Sequence, residues 1–160
     1  MKDQKYKKNI IAEKNSFVDI LESTNDSDLN IFNLKQKCIS PGHYHKHLLE
    51  WFNKFDSNQI LIIDSEVFKN NPMNDLERIQ EFLKLKKKIN YEEILKKDNN
   101  KEFTYCLKKD LRKCTSFNKK PIIEQNIYDL LDNIYSESNK KLKSLLNEYK
   151  FKKPEWLDKY

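Results

Sequence analysis

The chain has 160 residues, of which 35% are charged and 38% hydrophobic, with a formal net charge of +6 and an isoelectric point near 9.0. That length suits one domain with a modest core, and nine Phe and eight Tyr exclude the composition of a disordered polypeptide. A single glycine, Gly42, excludes a Walker-type or dinucleotide-type phosphate loop, which needs several glycines to turn tightly and bring backbone close to the anion; any anion must be held by side chains, helix N-termini or another polypeptide.

The first residues, 1–15, are basic and weakly patterned and lack the apolar centre of a signal peptide. No stretch approaches the roughly 18 apolar residues of a membrane helix. Ser16 is an N-cap candidate ahead of Phe17, Val18, Ile20 and Leu21, which predicts a short helix ending near Glu22. Ser23 to Asn30 reads as a polar loop carrying the sequon Asn25-Asp26-Ser27, of consequence only in a secretory compartment. Ile31, Phe32, Leu34 and Cys38 predict a second short helix, stopped by Ser40, Pro41 and Gly42.

Tyr44, Leu48, Phe52 and Phe55 then recur at helical spacing with Trp51 beside them, so a helix begins just after Gly42 and places Tyr44 and Trp51 in the core. Asp56, Ser57 and Asn58 supply turn chemistry, and Gln59 opens Ile60, Leu61, Ile62 and Ile63, predicting a strand at about 59–64 in a sheet buried on both faces. Asp64 and Glu66 fall where that strand ends, the place of ligand sites in open α/β sheets, and equally a place for a helix cap or ion pair.

Asn71 and Pro72 mark a boundary, and Asp75 precedes the amphipathic pattern of Leu76, Ile79, Phe82, Leu83 and Leu85. Lys86 to Glu102 reads as a connection with one helical turn, and Phe103 to Leu107 as a strand. Pro121 begins a last helical section through Ile127, Leu130, Leu131, Ile134, Leu142, Leu145, Leu146 and Tyr149, ended by Pro154 before Trp156 and Leu157. No internal repeat or second domain is visible.

Lysine clusters at Lys84 to Lys88, Lys96 and Lys97, Lys108 to Lys113 around Arg112, and Lys140 to Lys143 suit an anionic partner, and suit equally a lysine-rich composition with solvated faces. No helix-turn-helix signature or aromatic stacking platform points to nucleic acid. Of His43, His45 and His47, only His43 and His47 share a helix face and no third ligand is spaced nearby, so no metal is expected. His47 reads as a hydrogen-bonded structural residue or part of an acceptor cleft. Cys38 has no evident partner among the three cysteines.

From Ser16 to Leu157 the chain resembles the C-terminal part of the sulfotransferase domain of heparan sulfate N-deacetylase/N-sulfotransferases. The landmarks run in order: SFVDIL; LKQKCISPGHYHKHLLEWF, with Cys38, Pro41, Gly42, Tyr44, His47 and Trp51; QILIIDSEVFKNNP; LERIQEFLKL; Tyr105-Cys106; Cys114; NKKLKSLL; and PEWL.

The resemblance implies the C-terminal portion of a P-loop-type α/β sulfotransferase fold, mostly helical with the short buried strand at about 59–64 lying parallel in its sheet. It implies sulfuryl transfer from 3′-phosphoadenylyl sulfate (PAPS), with no metal, to a glucosamine nitrogen or hydroxyl of a heparan-type polysaccharide in the Golgi lumen. The family's donor loop, catalytic base and 3′-phosphate site lie upstream of the segment matched here, so the N-terminal half of the domain is the expected partner and these residues alone are expected to be inactive.

The resemblance also implies a disulfide between Cys106 and Cys114 and nucleotide contact from Tyr105. The family's Lys-Gly-Arg stretch after the second cysteine is shortened here, leaving Asn118, Lys119 and Lys120 to meet a phosphate. A different class of function stays open: a non-catalytic basic module that binds a polyanion, glycan or nucleic acid. Without sheet neighbours, the strand at Ile60 to Ile63 is expected to expose apolar edges and leave stability marginal.

Overall fold

A computed structural model describes residues 14–24, 28–86, 89–98, 104–115 and 123–160. The expected sequon, the start of the Phe103 strand and the Asn118 to Lys120 stretch lie outside them. The chain divides into two compact units, Met1–Lys54 with Ile123–Tyr160, and Phe55–Ile122.

The first unit is helical. Helix α1 (Phe17–Glu22) starts on a capping box: Asp19 N–H donates to Ser16 Oγ at 3.1 Å, and Ser16 N–H donates to Asp19 Oδ2 at 2.9 Å. The Ser16 hydroxyl, donating to Asp19 Oδ2 at 2.6 Å, and after it the Ser16 N–H hold the Asp19 carboxyl below its ordinary range. Ile20 and Leu21 are the buried side of this short helix. In α2 (Leu29–Ile39), Asp28 caps the N-terminus by accepting from Asn30 N–H at 2.7 Å, and Lys35 Nζ donates to the Ser23 carbonyl at 2.9 Å. A 3₁₀ turn, Ser40–Gly42, leads into α3 (Tyr44–Phe52).

The long helix of this unit, α7 (Gln125–Glu148), runs 24 residues and buries Ser138, Asn139, Leu142, Leu145 and Leu146. The last helical section is therefore one continuous helix that stops six residues before Pro154. Lys150 adopts φ 59°, Lys150 N–H bonds the Asn147 carbonyl at 3.1 Å and Phe151 N–H bonds the Leu146 carbonyl at 2.8 Å, a left-handed reversal that satisfies the terminal carbonyls. The Phe52 ring lies flat on Tyr149, centroids 4.0 Å apart at 6°, with Phe151 at 5.4 Å. A 3₁₀ segment, Glu155–Lys159, then returns to α7: Leu157 has no exposed surface, and Lys159 Nζ and the Tyr160 hydroxyl both meet Asp132 Oδ1. These bonds hold the Asp132 carboxyl below its ordinary value and raise the Lys159 ammonium.

The second unit combines short helices with a small sheet. Ser57–Gln59 is a 3₁₀ turn, and Ile60 to Asp64 runs half-buried and extended into α4 (Ser65–Asn70). The expected buried strand at 59–64 is thus an extended segment that pairs with no strand among the described residues. A β-branched run sets backbone preference, but a strand exists only where a neighbour supplies the ladder. Part of that need is met laterally: Arg78 in α5 (Pro72–Phe82) donates to the Ile62 carbonyl at 3.4 Å and to Asp75 Oδ1 at 2.5 Å. Asp75 is buried, at 2% exposure.

Helix α5 begins at Pro72, whose fixed φ and missing N–H suit a first helical position, three residues ahead of the Asp75 start that the apolar pattern suggests. It ends as α7 does, with Lys84 at φ 52°, Lys84 N–H on the Glu81 carbonyl and Leu85 N–H on the Gln80 carbonyl, each 2.9 Å. One helical turn, α6 (Tyr91–Ile94), precedes β1 (Leu95–Lys97), which pairs antiparallel with β2 (Tyr105–Leu107), itself antiparallel to β3 (Asp110–Cys114). The sheet is three-stranded, in the order β1-β2-β3. All its pairings are antiparallel.

Candidate functional site

Two groups of side chains carry the residues singled out by the sequence, one in each unit. In the second unit Cys106 stands opposite Cys114 across β2 and β3, and the two form a disulfide with an S–S distance of 2.05 Å and Cα atoms 4.0 Å apart. Tyr105 is buried, at 6% exposure. Its hydroxyl donates to the Asn70 carbonyl at 2.6 Å, its N–H to Thr115 Oγ1 at 3.1 Å, and its carbonyl accepts from Thr115 N–H at 2.8 Å. The phenol is therefore committed to fixing β2 against the end of α4. Asn118, Lys119 and Lys120 lie outside the described residues.

The same sheet presents cations. Lys96 and Lys97 stand on β1, opposite Cys106 and Tyr105, Lys108 and Lys109 form the turn between β2 and β3, and Arg112 and Lys113 stand on β3. Lys108 Nζ donates to the Glu92 carbonyl at 2.7 Å, which fixes the side chain without neutralising it. Arg112 Nε reaches Asp110 Oδ1 at 3.0 Å while its side chain stays 90% exposed, a geometry in which solvent screening leaves little stabilisation.

In the first unit the three histidines have separate partners. The His43 ring packs edge-on to Tyr135 at 5.3 Å, and its Nδ1 is buried without a hydrogen-bond partner. His45 Nδ1 is 2.8 Å from Ser138 Oγ on α7, and the exposed His47 places Nε2 3.3 Å from the Ser40 carbonyl. Burial, with the nearby Lys46 charge and His47, lowers the His43 pKa. Burial lowers His45 as well, helped by Lys141, His43 and Lys46 against a raising effect from Glu137. Both imidazoles are thereby favoured as neutral rings.

Sequence spacing grouped His43 with His47 and passed over the contacts of His43 and His45 with α7. Those contacts depend on residues 92 and 93 positions away in sequence, Tyr135 and Ser138, which no local pattern reports. Tyr44 and Trp51, expected in the core, are instead 54% and 56% exposed. Helical spacing identifies a shared face, but Phe52 takes the buried position of α3, because the unit's core lies on the side where Tyr149 and Phe151 stack. Asp64 caps α4 by accepting from Glu66 N–H at 2.8 Å, the structural of the two roles open to it.

The described residues do not form a cradle for a phosphosulfate. The one glycine, Gly42, turns the side where a Cβ would stand toward the Tyr135 ring. No helix among the described residues is long and apolar enough to cross a membrane.

The sulfotransferase domain family matches residues 3–145. The chain is 29% identical over 154 residues to the bifunctional heparan sulfate N-deacetylase/N-sulfotransferase of Drosophila melanogaster, covering 92% of this chain and 15% of that protein. It is 28% identical over 152 residues to the bifunctional heparan sulfate N-deacetylase/N-sulfotransferase 2 of Homo sapiens, covering 92% of this chain and 17% of that protein. The corresponding enzyme 1 of Xenopus laevis gives 28% over 156 residues with the same coverage, 92% and 17%. The chain thus spans less than a fifth of the length of these relatives.

Proposed function

The chain belongs to the sulfotransferase domain family, and from that premise we propose that it is part of a PAPS-dependent heparan sulfate sulfotransferase. Its acceptor is a glucosamine nitrogen, or a hydroxyl, of a heparan-type glycan, and its compartment, by likeness to these relatives, is the Golgi lumen. The observation that carries this reading is the likeness to heparan sulfate N-sulfotransferases along 92% of the chain, supported by the disulfide-bridged Tyr105-Cys106…Cys114 hairpin.

Sulfuryl transfer needs cations and backbone donors around the sulfonate and phosphates and a base for the acceptor proton. The described residues offer no such cradle, so we derive no transfer step through the donor here. We assign the phosphosulfate loop and the base to the N-terminal half of the domain, with residues 1–160 as its remainder and inactive alone. Nucleotide contact is assigned to Asn118, Lys119 and Lys120, and an acceptor-side position to exposed His47.

Calorimetric titration of the 160-residue chain with 3′-phosphoadenosine 5′-phosphate tests the cofactor assignment. Saturable binding lost in the double variant Lys119→Gln/Lys120→Gln supports it. Absence of saturable nucleotide binding overturns the donor contact assigned to these residues, and absence of heparan sulfate binding as well overturns the glycan assignment.

A further inference from the structure

The two ends of the contact between α3 and α7 are built from different chemistry. At the far end the rings of Phe52, Tyr149 and Phe151 stack, with no charged group among them. At the near end α3 meets α7 through polar groups: the His43 ring stands edge-on to Tyr135 at 5.3 Å, and His45 Nδ1 lies 2.8 Å from Oγ of Ser138, a residue only 5% exposed. Tyr135 also reaches back to α2, its hydroxyl donating to the Ile39 carbonyl at 3.0 Å.

This near end suits neutral imidazoles. His43 Nδ1 is buried without a hydrogen-bond partner. A neutral ring leaves that nitrogen as an unused lone pair, whereas a charged ring places an N–H there with nothing to accept it. Around His43 stand Tyr135 from α7 and His45, Lys46 and His47 from its own side. Around His45 stand Ser138, Lys141 and Glu137 from α7 and His43 and Lys46 from its own side, while Cys38 of α2 faces Tyr135. Of these, Glu137 favours a charged His45, and it is shared with Lys141 at 3.4 Å. The two imidazoles lie 6.4 Å apart, so a second proton also meets the charge of the first.

We propose that the start of α3 is a proton-operated latch: with both imidazoles neutral the segment 40–47 is closed on α7, and protonation releases it while the aromatic stack holds the far end. The segment carries His47, whose Nε2 is 3.3 Å from the Ser40 carbonyl within it. The latch therefore sets the position of the acceptor-side residue assigned above, and in that respect alone it rests on that assignment.

The sign follows from linkage. Burial first, then neighbouring cations, lowers both histidine pKa values in the closed state, so the open state binds more protons once pH falls below about 6.5. The latch is closed above that value and opens as pH falls through the lowered ones. Between pH 7.5 and 5.5, one histidine raises the ratio of open to closed by up to about tenfold, and two by up to about a hundredfold. That range is the one in which histidine sensors of acidic compartments work.

The test is amide hydrogen exchange of the full 160-residue chain at pH 7.5 and 5.5, corrected for the intrinsic pH dependence of exchange. Amides of residues 43–48 are expected to lose about tenfold or more in protection at pH 5.5, and those of Phe52 and the last turn of α7 less than about threefold. His43→Phe/His45→Gln keeps a ring against Tyr135 and a hydrogen-bonding group for Ser138 without a titrating nitrogen, so the loss should vanish; His45→Gln alone should reduce it if the double variant fails to fold. Lys141→Gln should shrink the loss and Glu137→Gln enlarge it, opposite signs that a merely structural contact would not give. Equal loss of protection throughout α3 and α7, or a loss that survives replacement of the histidines, overturns the latch. A latch confirmed by exchange, with heparan sulfate affinity unchanged in His47→Gln, overturns the acceptor-side assignment and leaves the latch standing.

Discussion

The Cα of Gly42 faces the phenol of Tyr135, so closely that a Cβ built there would lie 2.5 Å from Tyr135 Oη and 2.6 Å from its Cζ. The ring cannot swing aside freely, because its hydroxyl donates to the Ile39 carbonyl at 3.0 Å and burial raises the phenol above its ordinary pKa, keeping the donor proton. Gly42→Ala is therefore expected to destabilise the chain by about 1–3 kcal/mol, the cost of overpacking a fixed contact. In urea unfolding, the double variant Gly42→Ala/Tyr135→Phe should cost less than the sum of the singles, since loss of the hydroxyl removes the nearest clashing atom. Additive costs would mean that the two residues do not meet.

Two helices end on a lysine in the left-handed region, Lys84 at φ 52° and Lys150 at φ 59°. An L side chain there is strained by roughly 1–2 kcal/mol, which glycine relieves at some cost in unfolded-chain entropy. Lys84→Gly and Lys150→Gly should each stabilise by about 0.5–1 kcal/mol, read as a higher melting temperature, while Lys→Ala at the same positions should not. A lower melting temperature for both glycine variants would contradict the terminus geometry.

Reduction of the Cys106–Cys114 bridge, or replacement of both by Ser, should cost about 2–3 kcal/mol through restored freedom of the unfolded loop. The loss should appear as amide exchange in β2 and β3 before any change in the α7 helix. Uniform exchange throughout would show that the bridge does not act locally.

His43 and His45 have pKa values lowered on folding, so the unfolded chain binds more protons than the folded one once pH falls below their ordinary value of about 6.5. Their stabilising contribution is full above that value and is lost as pH falls through the lowered folded values. Denaturation midpoints should therefore decline from pH 7 toward pH 5, and His45→Gln should shallow the decline. The carboxylates with lowered values, Asp19 and Asp132, act in a separate window, losing their contribution only as pH falls below about 4. A midpoint independent of pH between 5 and 7 would contradict the histidine environments.

Local chemistry made much of the fold readable. Ser16 ahead of an apolar run, Pro41-Gly42 as a stop and Asp64 as a cap are short-range signals, and each is realised in the structure. The helices after Gly42 and Asn71 and the single turn before Leu95 follow for the same reason. What escaped depends on distant partners. Strands β1 and β3, LKK and DLRKC, lack the alternating apolar pattern of a half-buried strand and exist because β2 and a disulfide hold them. Conversely, Ile60 to Ile63 has the composition of a strand and no partner among the described residues. For the candidate site, the family landmarks located the hairpin and its cysteines, whereas the burial of Tyr105 comes from Asn70, 35 residues away.

Phe52 closes α3, and Tyr149 and Phe151 flank the end of α7, and all three rings share one stack. Two helix termini that would ordinarily fray independently are thus bound into a single opening event, so the final turns of α3 and α7 should exchange their amides at a common rate and slow down or speed up together.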